Sequence, residues 1–340
     1  MHDGTKVKAQ ASGKSFRREQ TLREHLEQAR GRVRTMGDPR QEEVSGRQAR
    51  ARERLEQALE EMQKLQAAQP GRKPRQERRV SETDPEARFM KQPGGGYAPS
   101  PNLQISTDAA HVLIVGVSVT QSANDEGQLP PALDEVRRNL GRLPQQVVAD
   151  AGFTTRETIL EMAERGVDFI GGTVEAGKRS QPRPGIDPAF RAAALGYEAE
   201  RDTYRCPTGK ELLPRGIPRR RVGVLHHVYQ PQAGDCHSCA FRGKCCAGAA
   251  ARRILRAEDV PVVAAFVAKM RTEAAKAIYR LRGAVAEFPN AWLKAKIGLR
   301  QFRVRGLKKV RCEALWACLA YNLLQWVRLR WKVRLAEAQS

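Results

Sequence analysis

The sequence predicts an α/β protein, a mixed sheet flanked by helices and interrupted by two insertions. Three observations carry that prediction. Short apolar, β-branched runs at 103–107 and 112–119 flank Asp108-Ala109-Ala110 and form a hairpin pattern. Helical periodicity then alternates with short apolar runs as far as Gly172. Two stretches, 15–92 and 173–256, differ from this pattern in composition.

The first strand ends near the start of the chain, where Thr5 and Val7 alternate with polar neighbours, so 1–14 is assigned to it. Over 15–92 the chain becomes charged and helical. Leu22, Leu26 and Ala29 recur at helical spacing, and Leu55, Ala58, Met62 and Leu65 follow a heptad-like rhythm. Gly37-Asp38-Pro39 breaks the two arms, and a basic linker with prolines follows at 70–74. This is a helical-hairpin insertion. The core occupies 93–172. After the hairpin come a helix over 131–143, a strand at 146–150 ending on Asp150, a helix over 155–165 and a strand at 167–170 closed by Gly171-Gly172. Residues 173–256 are rich in loops and poor in apolar mass, and they hold five of the seven cysteines. Residues 257–340 are mostly helical, with Leu315, Leu319, Leu323 and Trp326 at core-like spacing; Trp316, Trp326 and Trp331 are expected to pack inward.

Composition narrows the function. The 340 residues carry a formal charge of +22, from 60 Lys+Arg against 38 Asp+Glu. Such an excess points to a polyanionic partner, and nucleic acid is the commonest. No apolar run approaches the ~20 residues that cross a bilayer, so no membrane role is expected. The first residues lack the apolar core of a secretory signal, and with a CxxC pair the chain is expected in the cytoplasm.

Three acids stand out by placement: Asp3 in the first strand, Asp150 at a strand end and Glu287 in the helical C-terminal part. Functional groups of open α/β sheets collect at strand carboxyl ends. Two acids on neighbouring strands and one on a packed helix can converge on hard divalent cations such as Mg²⁺, which serve phosphodiester chemistry. Singly, each acid is as well explained as a surface or turn carboxylate.

The residues around them sharpen the expectation. Asp3-Gly4-Thr5-Lys6, Val148-Ala149-Asp150-Ala151-Gly152-Phe153, and Tyr279-x-x-Arg282 followed by Glu287 and Lys294 resemble the DDE transposases of bacterial insertion sequences. Phe302-x-x-Arg305-Gly306-Leu307-x-x-Val310 and Cys318-Leu319-Ala320-Tyr321-Asn322-Leu323 continue the likeness in the family's order. The resemblance implies an RNase H-like core that cleaves and joins DNA ends. It implies Asp3, Asp150 and Glu287 as ligands of Mg²⁺ (or Mn²⁺), with transposon terminal inverted repeats and target DNA as partners. It also implies a homodimer and a place at the bacterial nucleoid. The chain begins two residues before the Asp of Asp-Gly-Thr, so the resemblance further implies an N-terminal truncation that leaves Asp3 on a fraying end. A non-catalytic DNA-binding or regulatory remnant is the alternative.

Basic residues near Glu287 are candidates for phosphate contacts. Tyr279 and Arg282 match the family's Tyr-Arg-Glu-Lys signature, but Arg282 to Glu287 is one residue longer than its common pattern. Arg280 competes, because Arg280, Glu287 and Lys294 recur every seven residues and would share one face of a continuous helix. Pro289 would remove a helix bond to Val285 and kink that helix at the site. Twelve Lys/Arg against one Glu lie between Lys294 and Arg334. Among them Arg303, Arg305, Lys308 and Lys309 are the next candidates for DNA-binding.

The cysteines suggest a second metal. Cys236-x-x-Cys239, Cys245 and Cys206, with Cys206-Pro207-x-Gly209 similar to a zinc-knuckle turn, can supply four thiolates to structural Zn²⁺ in a zinc-ribbon-like insertion. Cys246 and His237 are substitutes for the fourth ligand.

Overall fold

The computed structural model describes residues 1–34, 42–68, 78–172, 185–221, 224–246, 248–258 and 261–339. The expected break at Gly37-Asp38-Pro39 and the linker at 70–74 lie outside the described residues. The chain divides into two units, Met1–Gly171 with Glu273–Ser340, and Gly172–Thr272.

The first unit is built on five strands: β1 (His2–Lys6), β2 (Asn102–Thr107), β3 (Ile114–Thr120), β4 (Gln146–Val148) and β5 (Asp168–Ile170). β1 pairs antiparallel with β2, setting Asp3 opposite Ile105, and β2 pairs antiparallel with β3. β4 and β5 are parallel, and a parallel bridge from His2 to Ala149 links β1 to the end of β4. The spatial order is therefore β5-β4-β1-β2-β3, with β1 in the middle. All six residues of β2 are buried, as expected for a strand covered on both faces.

Asp3 does not fray. β1 is paired along its whole length, His2 is 1% exposed, and the Met1 ammonium donates to the Thr107 carbonyl at 2.7 Å.

Two helices cover part of this sheet. In α3 (Leu129–Leu140) Leu129, Leu133 and Val136 are buried, and Gly141 ends the helix at φ 72, a left-handed cap that glycine adopts without strain. In α4 (Arg156–Glu164) the Thr155 hydroxyl caps the Thr158 N–H at 3.1 Å, and Ile159 and Met162 face inward. The elements preceding them in sequence, α1 (Glu19–Arg34) and α2 (Glu42–Ala68), form their own small core from Leu22, Leu26, Leu55, Ala58, Met62 and Val80.

After residue 272 the chain re-enters the first unit. Glu273–Arg280 is helical, followed by two π-helical turns, Gly283–Glu287 and Leu293–Ile297, around the short helix Phe288–Trp292. The long C-terminal helix Leu307–Gln339 lies on β3. Val310, Ala314, Ala317 and Tyr321 join Leu103, Ile105 and Val117 in the main core. The Asn322 side-chain amide binds the Ile114 backbone in both directions, at 2.8 and 2.7 Å. The tryptophans contradict the expected inward packing. Trp316, Trp326 and Trp331 are 67%, 55% and 63% exposed, because the sheet covers only the opposite side of the helix.

The second unit is a sheet where the sequence suggested mostly loops. Its strands, Gly196–Glu198, Thr203–Arg205, Glu211–Pro214, Arg219–Arg221, Val224–Gln230 and Ile254–Ala257, form one antiparallel array. Its core is small, drawn from Leu195, Leu212, Tyr229 and Ile254. Asp202 accepts hydrogen bonds from Tyr197 at 2.7 Å and from Tyr229 at 2.5 Å.

Candidate active site

The three acids converge on one guanidinium. β1 carries Asp3. Asp150 follows β4, where its carboxylate caps a 3₁₀ turn by accepting from the Ala151 N–H at 2.7 Å. Glu287 is the last residue of the first π-helical turn. Arg282 Nη2 lies 2.8 Å from Glu287 Oε1 and 3.7 Å from Asp150 Oδ1, and its Nη1 lies 3.9 Å from Asp3 Oδ1.

The π turn explains the extra residue between Arg282 and Glu287. A π-helix bonds i to i+5, so residues five apart stand on one face. The turn also accommodates Pro289, which falls in the first turn of the following helix, where a missing N–H costs no bond. The expected loss of a bond at Val285 is thus met by a change of helix type. Arg280, the competitor, points elsewhere and pairs with Glu273 at 3.3 Å.

A second set of contacts fixes the acids. Asn290 Nδ2 donates to Asp3 Oδ2 at 2.9 Å, and Tyr279 OH donates to Asp150 Oδ1 at 3.1 Å. Lys294 donates to the Thr5 hydroxyl. Burial pushes the Asp3 carboxyl up to about 6, against the opposing pull of Asn290 and Arg282. Burial also lowers the Lys294 ammonium and raises the Tyr279 phenol, the latter helped by Asp150.

Asn290 and Asp125 join the site without any motif to mark them in the sequence. Asp125 accepts from Asn102 at 2.9 Å and from Gln104 at 3.0 Å, and it lies against Gly4. A Cβ at Gly4 would stand 2.5 Å from both Asp125 Oδ1 and Gln104 Nε2, which explains the glycine between Asp3 and Thr5. Hydrogen bonds spanning 21 and 287 residues leave no local signal.

Arg303, Arg305, Lys308 and Lys309 do not join the acids. They line a separate groove of about 830 Å³, whose α2 wall is of mixed charge, with Glu53, Glu60 and Glu61 beside Arg50, Arg54 and Lys64.

All five clustered cysteines, Cys206, Cys236, Cys239, Cys245 and Cys246, line one small cavity of about 30 Å³ in the second unit. Cys206 forms a tight turn, its carbonyl accepting from the Gly209 N–H at 2.8 Å. Burial pushes the Cys246 thiol up to about 12 and raises Cys245 as well. Among the described residues, no group of three or more His, Cys, Asp or Glu side chains is arranged to hold a metal ion. The expected zinc at Cys206, Cys236, Cys239 and Cys245 therefore gains no support. The same holds for Asp3, Asp150 and Glu287, which are drawn around Arg282; as a set of hard oxygen donors they fit a divalent cation in chemistry.

A family model described as a transposase DDE domain matches residues 205–327. The match supports a DDE-type transposase, with DNA as partner and a divalent metal as the usual cofactor. It takes in Glu287 and Lys294, whereas Asp3 and Asp150 lie outside it. No curated protein and no solved structure matches the chain. No helix among the described residues is long and apolar enough to cross a membrane.

Proposed function

We propose that this protein is a DNA transposase that cleaves and joins transposon DNA ends, with Asp3, Asp150 and Glu287 as the acidic set of its active site. The observation that carries the reading is the convergence of these three carboxylates, from two neighbouring strands and a helix, on Arg282. The order β5-β4-β1-β2-β3, antiparallel across β1-β2-β3 and parallel between β4 and β5, supports an RNase H-like core.

The three acids would hold Mg²⁺ or Mn²⁺. When bound, such ions activate the attacking oxygen and stabilise the leaving one. The chain's own residues do the rest. Asn290 holds the orientation of Asp3, Tyr279 that of Asp150, and Arg282 supplies positive charge where carboxylate or phosphate stands. Lys294, half-buried and donating to the Thr5 hydroxyl, would exchange that contact for one to the DNA backbone.

The test is Mn²⁺ binding, followed by paramagnetic resonance, together with cleavage of a labelled duplex made from the DNA that flanks the gene. Wild type should bind Mn²⁺ and nick the duplex. Asp150→Asn should weaken Mn²⁺ at least 10-fold and lower cleavage by about 100-fold or more. Undiminished binding and cleavage in Asp150→Asn would overturn the reading. The alternative, a non-catalytic DNA-binding protein, is favoured by the exposed cations Arg303, Lys308 and Lys309, which stand apart from the acids, and predicts binding to the duplex without cleavage.

A further inference from the structure

Asp125 lies in the loop between β3 and α3, apart from the three acids that the motifs mark. Two glycines flank its carboxylate. Gly4 follows Asp3 directly, and a Cβ there would stand 2.5 Å from Asp125 Oδ1. Gly152 comes two residues after Asp150, and a Cβ there would stand 3.6 Å from Asp125 Oδ2. The side chain thus sits between the two segments that present Asp3 and Asp150.

Its two oxygens differ. Oδ1 is fixed, accepting from Asn102 Nδ2 at 2.9 Å and from Gln104 Nε2 at 3.0 Å, on residues that are each 1% exposed. Gln104 is itself held, because its Oε1 accepts from His2 Nε2 at 2.8 Å. Oδ2 makes no hydrogen bond or ion pair among the described residues. An asparagine would satisfy the same two amides through its own carbonyl oxygen. What requires an acid here is therefore the charge and the second oxygen. Two further oxygens point the same way. Asn102 donates to Asp125 and Asn290 donates to Asp3, and the side-chain oxygen of each asparagine is buried with no hydrogen-bond partner among the described residues. A buried acceptor left unpaired costs free energy, and native proteins keep few of them. The water shell of a bound cation supplies donors, and carboxylate and amide oxygens are the ligands that hard divalent ions take.

We propose that Asp125 is a fourth acid of the active site, and that its Oδ2 helps to hold the divalent cation beside Asp3 and Asp150. The proposal rests on the reading of Asp3, Asp150 and Glu287 as cation ligands. A pair of divalent ions, as phosphodiester chemistry uses, brings more positive charge than three carboxylates sharing Arg282 neutralise.

The test is Asp125→Asn in the full chain, titrated with Mn²⁺ alone and followed by paramagnetic resonance. The variant keeps the shape and the acceptor for Asn102 and Gln104, so its melting should stay close to wild type. It should bind Mn²⁺ about 10-fold more weakly. Asp150→Asn, run beside it, separates the two readings. If wild type binds no Mn²⁺, or Asp150→Asn binds it as wild type does, the cation site and this proposal fall together. If Asp150→Asn weakens Mn²⁺ and a folded Asp125→Asn does not, Asp125 only fills space between the two glycines, and this proposal alone is overturned. A measurement on wild type decides the case in which Asp125→Asn unfolds. Carbodiimide labelling of carboxylates, mapped by peptide, should be suppressed at Asp125 by Mg²⁺ with the same midpoint as at Asp150. Labelling of Asp125 that Mg²⁺ leaves unchanged, while Asp150 is protected, would likewise overturn it.

Discussion

Asp3 is the most buried of the three acids. Its carboxyl is pushed up to about 6 by burial, from an ordinary value of 3.8. The folded state therefore binds this proton more tightly than the unfolded chain does. The stabilisation from the neutral acid is fully present below about pH 4 and is lost as pH rises through about 6. Asp3→Asn keeps an acceptor for Asn290 and removes the charge. In metal-free protein it should raise stability at pH 8 by about 2–3 kcal/mol and change it little at pH 4. Thermal unfolding at the two pH values checks this, and an equal gain at both would contradict it. Gly4 gives a second prediction at the same scale. In Gly4→Ala the new methyl displaces Asp125 and Gln104, which are hydrogen-bonded to each other. A loss of about 1–3 kcal/mol is expected from overpacking. Asp125→Ala in the same chain should recover part of it, because the methyl then has room.

The π-helical turn Gly283–Glu287 is the element that assembles the site. It absorbs one residue, and so keeps Arg282 against Glu287 at a spacing of five. Deleting Ala284 should convert the turn to an ordinary α-helical one, in which residues four apart are neighbours. The variant should keep Mn²⁺ affinity within about 3-fold of wild type, and it should melt no lower. Inserting one alanine after Gly283 should turn Glu287 away by about 100° and weaken Mn²⁺ at least 10-fold. The same turn marks the limit of sequence reading. Asp150 is legible because a short apolar run ends on it, and so are β2, β3, α3 and α4, whose apolar periods are clean. The choice between Arg280 and Arg282 is not legible, because a uniform α-helix puts Arg280 on the face of Glu287 and only the change of helix type selects Arg282. The sheet of the second unit is hidden for another reason. Its strands run three to seven residues and are rich in Arg, Glu and Tyr, with little apolar alternation. The tryptophans mislead because helical spacing reports an apolar face without saying whether anything covers it.

Across the whole molecule, the charge of +22 has distinct addresses. Near the acids, Arg282 and Lys294 are committed, the first to three carboxylates and the second to Thr5. The side-chain cations of Arg303, Lys308 and Lys309, exposed along the groove opposite α2, form no ion pair among the described residues. Uncommitted cations of this kind neutralise phosphates by releasing condensed counterions. Replacing all three with alanine should therefore weaken binding to any duplex by a similar factor, whatever its sequence. It should also lower the slope of log affinity against log salt by about 0.9 for each phosphate no longer neutralised, or roughly 2–3 in total. Mn²⁺ binding at the acids should be unchanged, because none of the three residues approaches them. Titrations of a terminal-repeat duplex and of a scrambled one at several salt concentrations provide the measurement. An unchanged slope would place the phosphate-binding cations elsewhere. A weakening confined to the terminal-repeat duplex would mean that the groove reads sequence, a task for which unpaired lysines on a helix surface are poorly suited.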